Sequence, residues 1–146
     1  MTGNGTSIPA MYDRRSVLQG SSVLLTGGLA GCSFNSDDPS EGRVAWVSLT
    51  NDSTNQHEVR VTITEGDATK FSESYQLGTA MDSAQAYIED PVSGLGPYHV
   101  QATTASQTAA VSLSNWVEGD EQCVGVDFLI ATDGTLDWDT KSMREC

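Results

Sequence analysis

The stretch Glu58-Val59-Arg60-Val61-Thr62-Ile63-Thr64-Glu65 alternates apolar and polar side chains without a break. Successive side chains of an extended strand point to opposite faces, so Val59, Val61 and Ile63 line one side and Glu58, Arg60, Thr62 and Thr64 the other. A chain holding such a strand must supply partners for its backbone and a cover for its apolar face. The rest of the sequence offers both. Arg43 to Thr50 is rich in Val, Trp and Leu, and Asn51-Asp52-Ser53-Thr54-Asn55 reads as a turn, so a hairpin is expected there. Lys70 to Leu77 places Phe71, Tyr75 and Leu77 on one side, with Glu73 the misfit. Ala84 to Glu89, Tyr98 to Thr103, Ala109 to Trp116, Cys123 to Ala131 and Thr135 to Asp139 follow as further strands. The last two are joined by Asp133-Gly134, a dipeptide suited to the positive φ of a tight hairpin. Seven or eight short strands spaced about ten residues apart, with no long 3.6-residue period, predict an all-β, antiparallel two-sheet sandwich of immunoglobulin type over residues 43–146.

Upstream of the strands the character changes. Arg14 and Arg15 are followed by an uncharged run from Val17 to Leu29, thirteen residues diluted by Gly20, Gly27 and Gly28. That run is short of the roughly 20 residues an apolar helix needs to span a bilayer. A positive pair, a weakly apolar run and a small-residue site before Cys32 have the layout of an export signal with its processing point. Residues 1–31 are therefore expected to leave as a signal peptide. Residues 32–42, polar apart from Phe34, read as a flexible tether.

These residues resemble two known patterns. Asp13-Arg14-Arg15-Ser16-Val17-Leu18-Gln19 is similar to the twin-arginine export signal, with Arg14, Arg15 and Leu18 in its recognised positions. Leu29-Ala30-Gly31-Cys32 resembles a lipobox, the tetrapeptide after which lipoprotein signals are cut. The resemblance implies export by the twin-arginine translocase, lipid on the sulfur of Cys32, and a mature protein held on the outer face of the cell membrane. Together with the acid excess, this combination is similar to that of small exported lipoproteins of halophilic archaea.

The whole chain carries 20 acids against 7 Lys and Arg, a net charge of −13. Losing Asp13, Arg14 and Arg15 with the signal leaves 19 acids and 5 bases, or −14. Nucleic acid is excluded as an expected partner, because phosphate binding requires a basic patch and only Arg43, Arg60, Lys70, Lys141 and Arg144 remain. Of three cysteines, Cys32 is assigned to lipid, leaving Cys123 and Cys146 as an even pair in an oxidising compartment, where a disulfide is expected.

No catalytic or cofactor motif accompanies this frame. His57 and His99 fall on the solvent register of their strands, and both precede Cys123, the reverse of a blue-copper ligand order. Asp133, Asp137 and Asp139 cluster near the last hairpin without the spacing of a calcium loop. Ser93-Gly94-Leu95-Gly96 is not a Gly-x-Ser-x-Gly nucleophile elbow. Trp46, Trp116 and Trp138 are expected mainly in the core, with an aromatic platform for sugar or peptide as the alternative. Asn51-Asp52-Ser53 is a glycosylation sequon in an expected accessible turn. The expectation is a lipid-anchored, non-catalytic binding or structural module with no cofactor, whose partner is a surface protein or glycan. A cupredoxin-like metal or electron-transfer domain is the alternative, and a carbohydrate-binding or enzyme accessory module the third.

Overall fold

The computed structural model describes residues 40–146. The signal and lipobox positions Arg14, Arg15, Leu18, Leu29, Ala30, Gly31 and Cys32 lie outside the described residues. Eight strands follow in order: β1 (Arg43–Asn51), β2 (His57–Glu65), β3 (Ala68–Leu77), β4 (Gln85–Glu89), β5 (Tyr98–Thr103), β6 (Thr108–Ser112), β7 (Cys123–Ile130) and β8 (Leu136–Met143). A single 3₁₀ turn, Leu113–Asn115, follows β6 and replaces the end of the strand expected to run to Trp116. Among the described residues no helix is long and apolar enough to cross a membrane.

The strands form two four-stranded sheets, ordered β4-β1-β7-β8 and β3-β2-β5-β6. The architecture is the expected immunoglobulin-like, two-sheet sandwich, with its first sheet mixed because β1 and β7 run parallel. Val44, Val47 and Leu49 of β1 and Val124, Val126 and Phe128 of β7 face Val59, Val61 and Ile63 of β2 and Val100 of β5 in one core. Tight turns close two hairpins where glycine supplies a positive φ, Gly66 (56°) between β2 and β3 and Gly134 (84°) between β7 and β8.

One expected pairing is corrected. β1 and β2 do not form a hairpin; they belong to opposite sheets, and the link between them crosses the sandwich end. Asn51 fixes that crossing. Its side-chain amide donates to the carbonyls of Asn55 and Gly78, each at 2.7 Å, and its Oδ1 accepts from the Ser53 backbone N–H at 3.0 Å and from Ser53 Oγ at 2.7 Å. Asn51 is wholly buried, so the accessibility expected of its sequon is also corrected: the folded domain leaves that amide no free hydrogen.

Glu73 is explained by position. Its strand β3 is at the sheet edge, so an acid on the inward register escapes sideways to solvent and accepts a hydrogen bond from Tyr75 Oη at 2.7 Å. Burial, helped by that bond and the Glu73 charge, pushes the Tyr75 phenol up to about 12. At the opposite edge the Cys123–Cys146 disulfide ties the final residue to the start of β7 across 23 residues. It draws β8 on to Met143, which pairs with Cys123, beyond the expected end at Asp139.

Candidate functional site

The two outer faces of the sandwich differ in chemistry. On the outer face of the second sheet, polar side chains satisfy one another across and along strands. Arg60 Nε donates to Ser74 Oγ at 3.2 Å, Gln76 Nε2 to Glu58 Oε2 at 2.6 Å, and Gln101 Nε2 to Thr103 Oγ1 at 3.1 Å. This is a solvated surface with its hydrogen bonds made.

The outer face of the first sheet carries aromatic rings instead. A bulge between Val44 and Trp46, where β1 slips against β7, lets Val44 and Val47 both face the core and turns Trp46 outward. Trp46 then lies opposite Gly125 of β7, and its indole occupies the space where a Cβ of residue 125 would stand. The ring is thus laid down against the sheet over glycine. Tyr87 of β4, 62% exposed, lies beside it with ring centroids 5.9 Å apart and planes 28° apart, an offset, near-parallel pair.

An open groove of about 530 Å³ adjoins the rings, lined by Trp46, Ser48, Thr50, Gln85, Tyr87 and Asp127. Ser48 sits between Tyr87 and Asp127 in register, and its hydroxyl donates to Asp127 Oδ1. Asp139 of β8 stands directly opposite Asp127. On the far side of the rings a smaller hollow of about 180 Å³ is walled by Trp46, Tyr87, Glu89, Met143 and Cys146, so the disulfide-held tail borders the aromatic pair.

The remaining tryptophans are not core residues either, which corrects the expected packing. Trp116 and Trp138 are 37% and 41% exposed and meet edge to face, centroids 5.7 Å apart and planes at 80°. They close the edge of the sandwich beside β8, where Ser142 Oγ donates to the Trp116 carbonyl at 2.7 Å. Crossed planes present an edge rather than a floor.

The other candidates do not assemble. His57 and His99 belong to strands β2 and β5, with His99 opposite Thr64, seven positions along β2 from His57. That separation is roughly 23 Å at about 3.3 Å per residue. Cys123 is bound to Cys146 and cannot offer a thiolate to either histidine. His57 Nε2 lies 3.1 Å from Ser53 Oγ, a serine–histidine contact, but Ser53 is 2% exposed and its hydroxyl is held by Asn51. That contact belongs to the buried corner. Asp137 and Asp139 share the outer face of β8, whereas Asp133 sits in the turn and accepts from the Thr135 N–H at 2.9 Å, which lowers its pKa. Among the described residues no group of three or more His, Cys, Asp or Glu side chains is arranged to hold a metal ion.

Sequence reasoning missed Tyr87, Gly125 and Asp127. Their only signal is relational, since a glycine in a core strand beside a tryptophan matters only once the parallel register of β1 and β7 is known.

No protein-family model matches the chain, and no curated protein matches it. Among solved structures, the NMR structure of a protein from Eubacterium rectale is similar over 70% of this chain and 90% of its own, at 13% identity and a TM-score of 0.37. At that distance it informs neither ligand nor activity.

Proposed function

We propose that this chain is a lipid-anchored, extracytoplasmic, non-catalytic binding module that presents its first sheet to a partner at the cell surface. The observation that carries the binding reading is the outward aromatic pair of Trp46 and Tyr87 beside a groove with hydrogen-bonding walls. An exposed tyrosine stacked on a half-buried, outward tryptophan, on a sheet that already has a full core, suits recognition. The anchoring reading rests on the sequence: Arg14 and Arg15, the Leu29-Ala30-Gly31-Cys32 tetrapeptide, and the twin-arginine and lipoprotein patterns they resemble. The Cys123–Cys146 disulfide supports an oxidising compartment. A single acyl chain binds membranes only reversibly, so stable attachment through Cys32 implies a two-chain lipid.

Intact-mass analysis of the protein extracted with detergent from native membranes tests this. The expected species begins at Cys32, carries a lipid, and gains two hydrogens on reduction. Cys32→Ala is expected to abolish the lipid and release the protein or leave it unprocessed. A species beginning at Met1 with three free thiols would overturn the export and anchoring reading.

A further inference from the structure

We infer that the Trp46–Tyr87 groove is a carbohydrate site, taking the apolar face of a neutral pyranose against the rings and its hydroxyls along the rim. This deepens the binding-module reading above and rests on it.

Four features of the groove point to that ligand class. First, the rings are near parallel. Trp46 lies over Gly125, where a side chain would lift it, and Tyr87 stacks beside it with planes 28° apart. A pyranose presents a patch of C–H groups on one face, which suits a flat ring system, whereas a cation is held best by rings on several sides.

Second, the rim is mostly uncharged. Thr50 and Gln85 offer a hydroxyl and an amide that both donate and accept, and Ser48, its hydrogen given to Asp127, offers an acceptor, matching a ligand whose hydroxyls donate and accept. Asp127 is the one carboxylate in the lining, and one of its oxygens already accepts from Ser48. The other oxygen is left to accept from a sugar hydroxyl. Asp139 opposite it likewise has an oxygen engaged, by the Thr140 N–H at 2.8 Å.

Third, the strand along the floor offers a peptide no unpaired backbone, and the nearer free edge of the sheet lies on the outer side of β4. β1, which runs along its floor, is paired on both sides by β4 and β7. Strand addition, the usual way an extended peptide gains affinity on a sheet, needs unpaired backbone groups there. Fourth, a groove of about 530 Å³ is of ligand rather than protein-interface size.

The test is a titration of the full-length protein in detergent, following tryptophan fluorescence and saturation-transfer NMR. The probes are neutral gluco-, manno-, galacto-, xylo- and N-acetylglucosamine oligosaccharides. At least one is expected to give a saturable response that is unchanged by added salt, because no ion pair forms. Trp46→Ala is expected to weaken it about tenfold or more, and Tyr87→Ala, at a more exposed ring, severalfold. Trp116→Phe is expected to leave it unchanged. No saturable response from any oligosaccharide overturns the sugar assignment, as does a response that survives both Trp46→Ala and Tyr87→Ala. Tetramethylammonium and oligolysine are titrated alongside. Salt-sensitive, Trp46-dependent binding of those probes alone would overturn the sugar class while leaving the groove as the binding surface. Failure of every probe, together with envelope binding by the lipid-free Cys32→Ala protein that ignores Trp46, would overturn the binding face itself.

Discussion

The outer faces of the two sheets rest on the same core and follow the same alternation, yet they solve different problems. On the second sheet, Thr62 and Arg60 are bonded to neighbours on an adjacent strand and Gln101 to Thr103 on its own, and little is left for a ligand except water. On the first, a bulge, a glycine and an edge tyrosine combine to lay two rings beside a groove. The difference shows that a sheet's function lies in where its regular pattern is broken. An unbroken period of two yields a solvated face, and one slip of register yields a platform.

The largest expected effect abolishes the comparison by removing what both faces share. Phe128→Ala, at a side chain 2% exposed between the sheets, is expected to cost roughly 3–5 kcal/mol in urea unfolding. Cys146→Ser acts on the first sheet alone. Releasing a closure of 23 residues is expected to lower stability by roughly 3 kcal/mol and to free the tail that walls the smaller hollow beside Trp46. Limited proteolysis at the C-terminus reads the second effect.

Matched substitutions then sharpen the contrast. Gly125→Ala places a methyl where the Trp46 ring lies, so it is expected to cost about 1–3 kcal/mol and to shift the tryptophan emission. Ala110→Val, outward and exposed on β6 of the second sheet, is expected to stay within about 0.5 kcal/mol. Equal costs at the two positions would remove the distinction between the faces.

A titration provides the smallest and most local effect. Tyr75 has its folded pKa raised to about 12 by burial and by Glu73, above the roughly 10 of an unfolded tyrosine. The sign follows: its contribution is fully present below about 10 and is lost as pH rises through the folded value near 12. Tyr75→Phe is expected to flatten the dependence of the urea midpoint between about pH 10 and pH 12. A midpoint that falls equally in both proteins would contradict the assignment.

Much of this sandwich is legible in the sequence because alternation reports a half-buried strand directly. Tyr98–Thr103 falls where Tyr98, Val100 and Ala102 alternate, and β2 begins one residue before Glu58. Pairing is less legible. Asn51 to Asn55 has turn chemistry, but turn chemistry does not distinguish a hairpin from a crossing between sheets; only the burial of Asn51 under the Gly78 loop does. The candidate site is the least legible part. Trp46 reads as core-facing or mixed because an even count from Val44 puts it inward, and the bulge that reverses it leaves no mark in hydrophobicity. Trp138 sits on the inward register opposite Phe128, but β8 is an edge strand, so the indole leans out to meet Trp116.

The most direct test of the account is binding of the protein carrying Cys32→Ala, which has no lipid to hold it, to envelopes of the cells that make it, stripped of their own copy. Trp46→Ala/Tyr87→Ala on the first face is compared with Arg60→Ala/Thr62→Ala on the second. The account predicts that the aromatic pair abolishes retention while the second-face pair binds like the parent protein. Retention that survives loss of both rings, or that fails with the second-face variant instead, would contradict it.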